Sequence, residues 1–357
     1  MAVLTDEQMA QQDTPLGSAA WISAEEYEVR DELHNRATSF ASSIKWDVLE
    51  LCATKLRQGI SCHVGENYSV GHFNMVRKLT FQDGVSWVAR FRLPELKAVF
   101  GERETLDVER CMKAEIATMA LLKTRTSIPV PEVFQYDVSA NNELGAPYIL
   151  MSYINGNAAS GLRVEKECKV GKFGDPEQDL KFRKQMARIQ VELSSITFDK
   201  IGAIYQDGET FVVGPEIETG EGPRSVEIEY YAAMASHAFQ VAKSDAPPEF
   251  KTKKSFDLPL MFEKLMPLCK QWPEEHQFQL ANRDFGAHNL LVDNEFNIIG
   301  LIDFDRVMTA PLAVVAQFPQ LTGLERQIPG YVESRPALSS GSKGLSHNYE
   351  STRTWLR

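Results

Sequence analysis

The chain has 357 residues, 43% of them hydrophobic and 24% charged, with 38 Lys and Arg against 49 Asp and Glu for a net charge of −11. At roughly 150 residues per domain this is two domains or one bilobal unit with ample material for a core, which excludes a wholly disordered or fibrous chain. The acidic balance excludes a general nucleic-acid binder, whose affinity rests on Lys and Arg clustered against phosphates, and leaves small anionic ligands open.

No apolar run approaches the ~20 residues of a membrane span. The first twenty residues carry Asp6, Glu7 and Asp13 with no basic n-region, which predicts no secretory signal and a cytoplasmic protein. Cys52, Cys62, Cys111, Cys168 and Cys269 are odd in number, widely spaced and free of any C-x-x-C pair. They read as reduced, buried thiols.

In chain order, residues 1–43 read as a polar N-terminal extension. A helical apolar pattern begins near Ile44 and Trp46 and is expected to end at Gly59. Phe73 to Phe81 and Val85 to Phe91 then read as strands joined by a hairpin at Gln82-Asp83-Gly84, the start of an antiparallel sheet. Asp107 to Thr124 reads as a helix with Val108, Met112, Met119 and Leu122 on one stripe, and Glu115 falls on that stripe. A carboxylate there needs a cation or donors in a cleft, or reaches solvent at the stripe's edge.

Pro147 to Ile154 reads as a last strand of this sheet, and Asn155-Gly156 as a boundary between lobes over 44–155 and 156–333. Asp179 to Ile196 and Ser225 to Val241 carry helical patterns, with a β-like stretch from Ile201 to Val213 between them. The acidic run from Asp199 to Glu229 reads as a solvated face, and its part from Glu216 to Glu229 as either that or a surface suited to a cationic acceptor. Residues 334–357, rich in Ser and Gly, read as a weakly ordered tail.

The chemistry concentrates between Leu280 and Asp305. Leu290 to Val292 and Ile298 to Ile302 flank the polar turn Asp293 to Asn297 and read as a hairpin. With Asp293 opposite Ile298, Asn289 falls opposite Ile302 and so beside Asp303, while Asp284 lies in the loop feeding the hairpin. Asn289 and Asp303 offer oxygens suited to Mg²⁺, and Asp284 stands where a carboxylate could deprotonate an attacking hydroxyl. His288 reads as a loop-supporting hydrogen bonder. P-loop, G-x-S-x-G and H-E-x-x-H motifs are missing from the sequence.

Asn282-Arg283-Asp284, Asn289 five positions after the Asp, and Ile302-Asp303-Phe304 resemble the H-R-D-x-x-x-x-N and D-F-G signatures of protein kinases. The fuller wording, Asp284 to Asp293 with Leu301 to Asp305, is more similar to the aminoglycoside phosphotransferase (APH) and choline kinase-like families, especially their fungal members. Gly71-His72-Phe73-Asn74, Trp87 to Arg90, Glu115 and Pro147 to Met151 extend the resemblance, in order, over roughly Trp46 to Pro319.

The resemblance implies an α+β, protein kinase-like bilobal fold, with an antiparallel-sheet N-lobe over 44–155 and a mostly helical C-lobe over 156–333. It implies an ATP- and Mg²⁺-dependent phosphotransferase acting on a hydroxyl or similar group of a small molecule; the alternative is a catalytically weak or inactive kinase-like binding protein. Asp284 would be the catalytic base, Asn289 and Asp303 the metal ligands, and Arg90 the phosphate cation paired with Glu115. Arg92, on the same strand face, is its rival. Gly71 to Asn74 would cover the phosphates, and a hinge around Ser152 and Tyr153 would offer backbone groups to adenine. Asn282 stands where the loop motif has His, Arg283 where the APH branch has Gly, and Arg90 where strand three has Lys. The 52 residues after Asp305 imply a shortened C-lobe.

Overall fold

A computed structural model of the chain describes residues 32–71, 73–94, 107–243, 253–265 and 277–322. His72 of the expected phosphate-covering turn, residues 1–31 of the expected extension, Cys269 and the expected tail over 334–357 lie outside the described residues. Cys52, Cys62, Cys111 and Cys168 are free thiols. Among the described residues no helix is long and apolar enough to cross a membrane.

Helix α1 (Glu32–Ser43) reaches back into the stretch read as a polar extension. Its Ala37 and Phe40 are buried with Ile44, and with Leu49 and Ala53 of α2 (Trp46–Leu56), because two apolar residues three apart suffice for a narrow inward stripe. After α2 the chain turns at Gly59, whose φ of +96° suits glycine.

Five antiparallel strands follow: β1 (Cys62–Val70), β2 (Asn74–Phe81), β3 (Ser86–Arg92), β4 (Val133–Asp137) and β5 (Tyr148–Ser152), in the order β1-β2-β3-β5-β4. The hairpin at Gln82-Asp83-Gly84 forms as the pattern predicts, with Gly84 at φ +84° and Asp83 Oδ1 accepting from the Val85 amide at 3.2 Å. Edge strand β4, with a bulge between Val133 and Gln135, is too short and half-buried to stand out in the sequence.

Strand alternation places Arg90 and Arg92. Trp87, Ala89 and Phe91 of β3 pack in the cluster that holds α1 and α2. Val88 packs on the other face with Met112 and Ile116 of α3 (Val108–Arg125). The period of two therefore sends Arg90 and Arg92 to the α3 side. Asp107 caps α3 by accepting from the Arg110 amide at 3.1 Å.

After β5 come β6 (Asn157–Ala158), α4 (Ala159–Glu165) and α5 (Pro176–Ser195). Helix α5 starts three residues before the expected Asp179, because Asp175 and Gln178 form a capping box with Pro176 in the first turn. Its Phe182, Met186, Ile189 and Leu193 are buried. Then come β7 (Thr197–Phe198), β8 (Gly202–Asp207), β9 (Thr210–Gly214), α6 (Glu227–Lys243), α7 (Lys253–Leu265), β10 (Phe278–Asn282), β11 (Leu290–Val292), β12 (Ile298–Leu301), β13 (Val307–Ala310) and α8 (Leu312–Val315). The β-like stretch near 201–213 is thus a hairpin, and it belongs to a sheet ordered β7-β10-β13-β8-β9. The architecture is an α+β, kinase-like bilobal fold with a sheet-built upper lobe and a lower lobe in which helices dominate around two smaller sheets.

Geometry of the candidate active site

The hairpin that carries the candidate site is anchored at its Asn289 end and slipped at its turn. Leu290 pairs with Leu301 and the Ile302 amide donates to the Asn289 carbonyl at 3.0 Å, so Asn289 lies opposite Ile302 as expected. A bulge between Leu291 and Val292 then moves the turn by one residue. Val292 opposes Ile298, and the Asp293 amide bonds Asn297 rather than facing Ile298. Apolar Leu290, Val292 and Leu301, all fully buried, hold the register near the site.

The loop that carries Asp284 is pinned by short-range bonds. The Asp284 amide donates to Asn282 Oδ1 at 2.9 Å, and Asn289 Nδ2 donates to the Asp284 carbonyl at 3.0 Å and to Asp284 Oδ2 at 3.4 Å. His288 Nε2 lies 3.3 Å from Asp284 Oδ1. The loop is also tied to the chain beyond α8: the Ala287 amide donates to the Gln320 carbonyl at 3.0 Å and the Gln320 amide to the Phe285 carbonyl at 2.8 Å. A Cβ at Gly286 would sit 2.6 Å from the Gln320 oxygen, so this approach requires glycine.

Above the loop, Arg90 is ringed by carboxylates. It donates to buried Glu115, and its Nη2 lies 3.6 Å from Asp303 Oδ1 and 3.5 Å from Asp305 Oδ1. The stripe carboxylate therefore has a cleft partner. Glu115 Oε1 also accepts from the Phe304 amide at 3.4 Å, tying α3 to the segment after β12. Arg92 Nη1 bonds Asp305 Oδ2 at 2.8 Å and packs over the Phe73 ring. Of the two rival arginines, Arg90 meets three carboxylates and Arg92 meets Asp305 alone among the described residues. Asn74, with its amide oxygen turned to Arg90, accepts from Nε and Nη2 at 3.2 and 2.6 Å. The Gly71 amide donates to the Asn74 carbonyl at 2.9 Å, closing the β1–β2 turn.

Charge is unevenly compensated here. Burial first, then Asp305, pushes Asp303 above the usual carboxylate range; Arg90 opposes the push and Asp284 adds to it. Burial acts upward on Asp305 too, but Arg90 and Arg92 outweigh it and hold this carboxyl low. Asp303 also sits at φ +64°, a left-handed conformation that costs a side-chain-bearing residue ~1–2 kcal/mol and is found preferentially at functional sites. Single ligand oxygens of Glu115, Asp303 and Asp305 lie within 4.8 Å of one another. An under-compensated carboxylate amid hard oxygen donors fits a divalent cation such as Mg²⁺.

At the expected hinge, the Ser152 amide donates to the Glu132 carbonyl at 2.8 Å and the Tyr153 amide to the Ser86 carbonyl at 3.4 Å. Both are engaged inside the sheet. Tyr153 lies beneath Lys78, whose Nζ is 5.1 Å from the ring centre.

Sequence reasoning missed a second cluster behind the loop. Arg283 is buried, with Nη2 3.2 Å from Glu216 Oε1 and Nη1 3.4 Å from Glu218 Oε2. Glu221 pairs with Arg224 at 2.8 Å. Of the acidic run read as a solvated face or a cationic-acceptor surface, Glu216 is instead a buried partner of Arg283 and Glu218 a partly buried one, whereas Glu221 is exposed as that reading expects. An unexplained Arg283 next to Asp284 was the one available signal.

The family model described as the phosphotransferase enzyme family (APH) matches residues 77–314, more than half of the chain. Among curated proteins, altered inheritance of mitochondria protein 9, mitochondrial, of Candida dubliniensis is 30% identical over 141 residues, covering 38% of this chain and 20% of that protein. A subtelomeric hrmA-associated cluster protein of Aspergillus fumigatus is 28% identical over 156 residues, 41% of this chain and 27% of that protein. The matched stretch spans about a fifth to a quarter of the length of these relatives. Among solved structures, a thermostable mutant of aminoglycoside phosphotransferase APH(4)-Ia, in ternary complex with ADP and hygromycin B, is 17% identical with a TM-score of 0.46, covering 74% of this chain and 72% of that one. Macrolide 2'-phosphotransferase MphH from Brachybacterium faecium is 16% identical with a TM-score of 0.41, covering 80% and 85%.

Proposed function

This chain belongs to the APH phosphotransferase enzyme family, and from that premise we propose that it transfers the γ-phosphoryl group of ATP to a hydroxyl or similar group of a small molecule. The observation that carries the reading is the convergence of Asp284, Asn289 and Asp303 at one end of the β11–β12 hairpin, with Arg90 held above them by Glu115.

Phosphoryl transfer asks the protein for position and charge rather than covalent chemistry. Asp284 would accept the proton of the attacking hydroxyl as its oxygen bonds the γ-phosphorus and the bond to the β,γ-bridging oxygen breaks, releasing ADP. Its carboxylate is steadied for this by Asn289 Nδ2 and His288 Nε2. Asn289 and Asp303 would hold Mg²⁺, which supplies neutralisation of the phosphate charge. Arg90 would meet a phosphate oxygen while keeping Glu115, and Gly71 and Asn74 would cover the phosphates from the β1–β2 turn. Ser152 and Tyr153 would border the adenine through side-chain and ring surface, because their amides are engaged.

The acceptor is a small molecule whose class the paired acidic residues do not select. The test is ATP turnover by the purified chain over a panel of hydroxyl- and amine-bearing compounds, for wild type, Asp284→Ala and Asp303→Asn. Turnover lost in both variants supports the assignment; turnover unaffected by both contradicts it. Cysteines read as reduced thiols suit a cytoplasmic placement, whereas relatives such as the Candida dubliniensis protein carry mitochondrial in their names; a fluorescent fusion of the full chain separates the two.

A further inference from the structure

We propose that the segment from Gly202 to Arg224 is a strap that positions the catalytic loop, with Glu216 and Glu218 acting on Asp284 through Arg283. The kinetic part of this inference rests on the phosphotransferase reading; the structural part does not.

Three consecutive residues do the work. Glu216 and Glu218 grip the Arg283 guanidinium at 3.2 and 3.4 Å, and Arg283 immediately precedes Asp284. The side chain of Arg283 is 6% exposed and that of Glu216 1%. The grip is over-determined on both sides. Glu216 Oε2 accepts from the Thr219 amide at 2.8 Å, and the Arg283 amide donates to the Arg306 carbonyl at 3.3 Å. Between the two glutamates, Ile217 packs with Cys111 and Ala114 of α3 and Ala203 of β8. Ala114 adjoins Glu115, which holds Arg90. One short run thus contacts both the helix that carries the phosphate-side ion pair and the loop that carries the base.

The hairpin leading into the run is built for close approach. A Cβ at Gly202 would lie 2.1 Å from the Gly214 carbonyl oxygen, and one at Gly214 would lie 2.5 Å from the Tyr205 ring. Tyr205 in turn donates its hydroxyl to the Pro215 carbonyl at 3.0 Å, at the mouth of the glutamate run. Arg283 also keeps Glu218 below the usual carboxylate range, against burial and with help from Arg306 and His237, so the grip is between charged groups.

The experiment uses the full chain and the partly exposed Glu218. Hydrogen exchange of residues 283–289 is compared for wild type, Glu218→Gln and the charge-retaining Glu218→Asp, together with ATP affinity by calorimetry and kcat. The strap predicts that Glu218→Gln accelerates exchange in this loop about tenfold and lowers kcat about tenfold or more at unchanged ATP affinity, since small misplacements of a base are costly. Glu218→Asp restores most of both. Exchange of the loop equal to wild type in Glu218→Gln overturns the proposal, whatever the kinetics. Absence of turnover in wild type bears on the phosphotransferase reading alone, because the exchange measurement still decides the strap.

Discussion

Two buried arginines invite comparison, Arg90 above the hairpin and Arg283 behind the loop that carries Asp284. Each meets more than one carboxylate within 3.6 Å. Their surroundings differ in balance. Around Arg283 the charges close on themselves: Glu218 is held low and Arg283 is pushed above its ordinary value by Glu218, Tyr230 and Glu216, despite burial. Around Arg90 they do not, because Asp303 is left above the usual carboxylate range. A saturated ion cluster holds a fold in place, whereas an unsaturated one at a cleft leaves room for a ligand cation.

The sharpest way to break that contrast is to remove each arginine. Arg283→Met leaves Glu216 buried without its cation and is expected to cost about 3–5 kcal/mol in chemical denaturation. Arg90→Met should cost less, since Glu115 keeps the Phe304 amide and Asp305 keeps Arg92, yet it should remove Mg-ATP binding by calorimetry. Next in size, Asp284→Ala should lower kcat by about 100-fold or more with the melting temperature unmoved. Smaller again, Asp175→Ala removes the α5 capping box and should cost about 1 kcal/mol, with no change in nucleotide affinity, which separates site effects from stability effects.

The smallest expected effect concerns pH. Burial pushes Asp179 up, but Arg183 and Lys172 outweigh it and hold the carboxyl low. A depressed folded pKa contributes stability that is present above the unfolded value of about 4 and lost as pH falls through the folded one. Melting curves between pH 7 and pH 2.5 should therefore show a loss on the order of 1 kcal/mol in that low window that Asp179→Asn abolishes. Identical pH dependence in the variant would show that this cluster, like many partly exposed ones, adds nothing measurable.

What was legible in the sequence was mostly local. Asp284, Asn289 and Asp303 lie within one loop and hairpin, so spacing and strand register suffice to bring Asn289 beside Asp303. Glu115 announced itself as a carboxylate on an apolar stripe, and its partner came from the family resemblance rather than from the stripe. Arg283 and Glu216, 67 residues apart, left no periodic trace, and the glutamates sat in a run whose ordinary reading is solvated surface. Strands β4, β7, β10 and β13 have five residues or fewer, too short for alternation to declare them. The one-residue slip at the hairpin turn came from a bulge, which a polar turn sequence does not reveal. The engagement of the Ser152 and Tyr153 amides depends on the neighbours Glu132 and Ser86, again a matter of tertiary pairing.

The most direct test of the contrast is a calorimetric titration of ATP, with and without Mg²⁺, into wild type, Asp303→Asn and Glu218→Gln in parallel. The account predicts Mg²⁺-dependent binding in wild type and Glu218→Gln alike, and in Asp303→Asn an affinity about tenfold lower or worse that Mg²⁺ no longer improves, as expected when a charged ligand of a hard cation is lost. Asp303→Asn binding Mg-ATP as wild type does would contradict it.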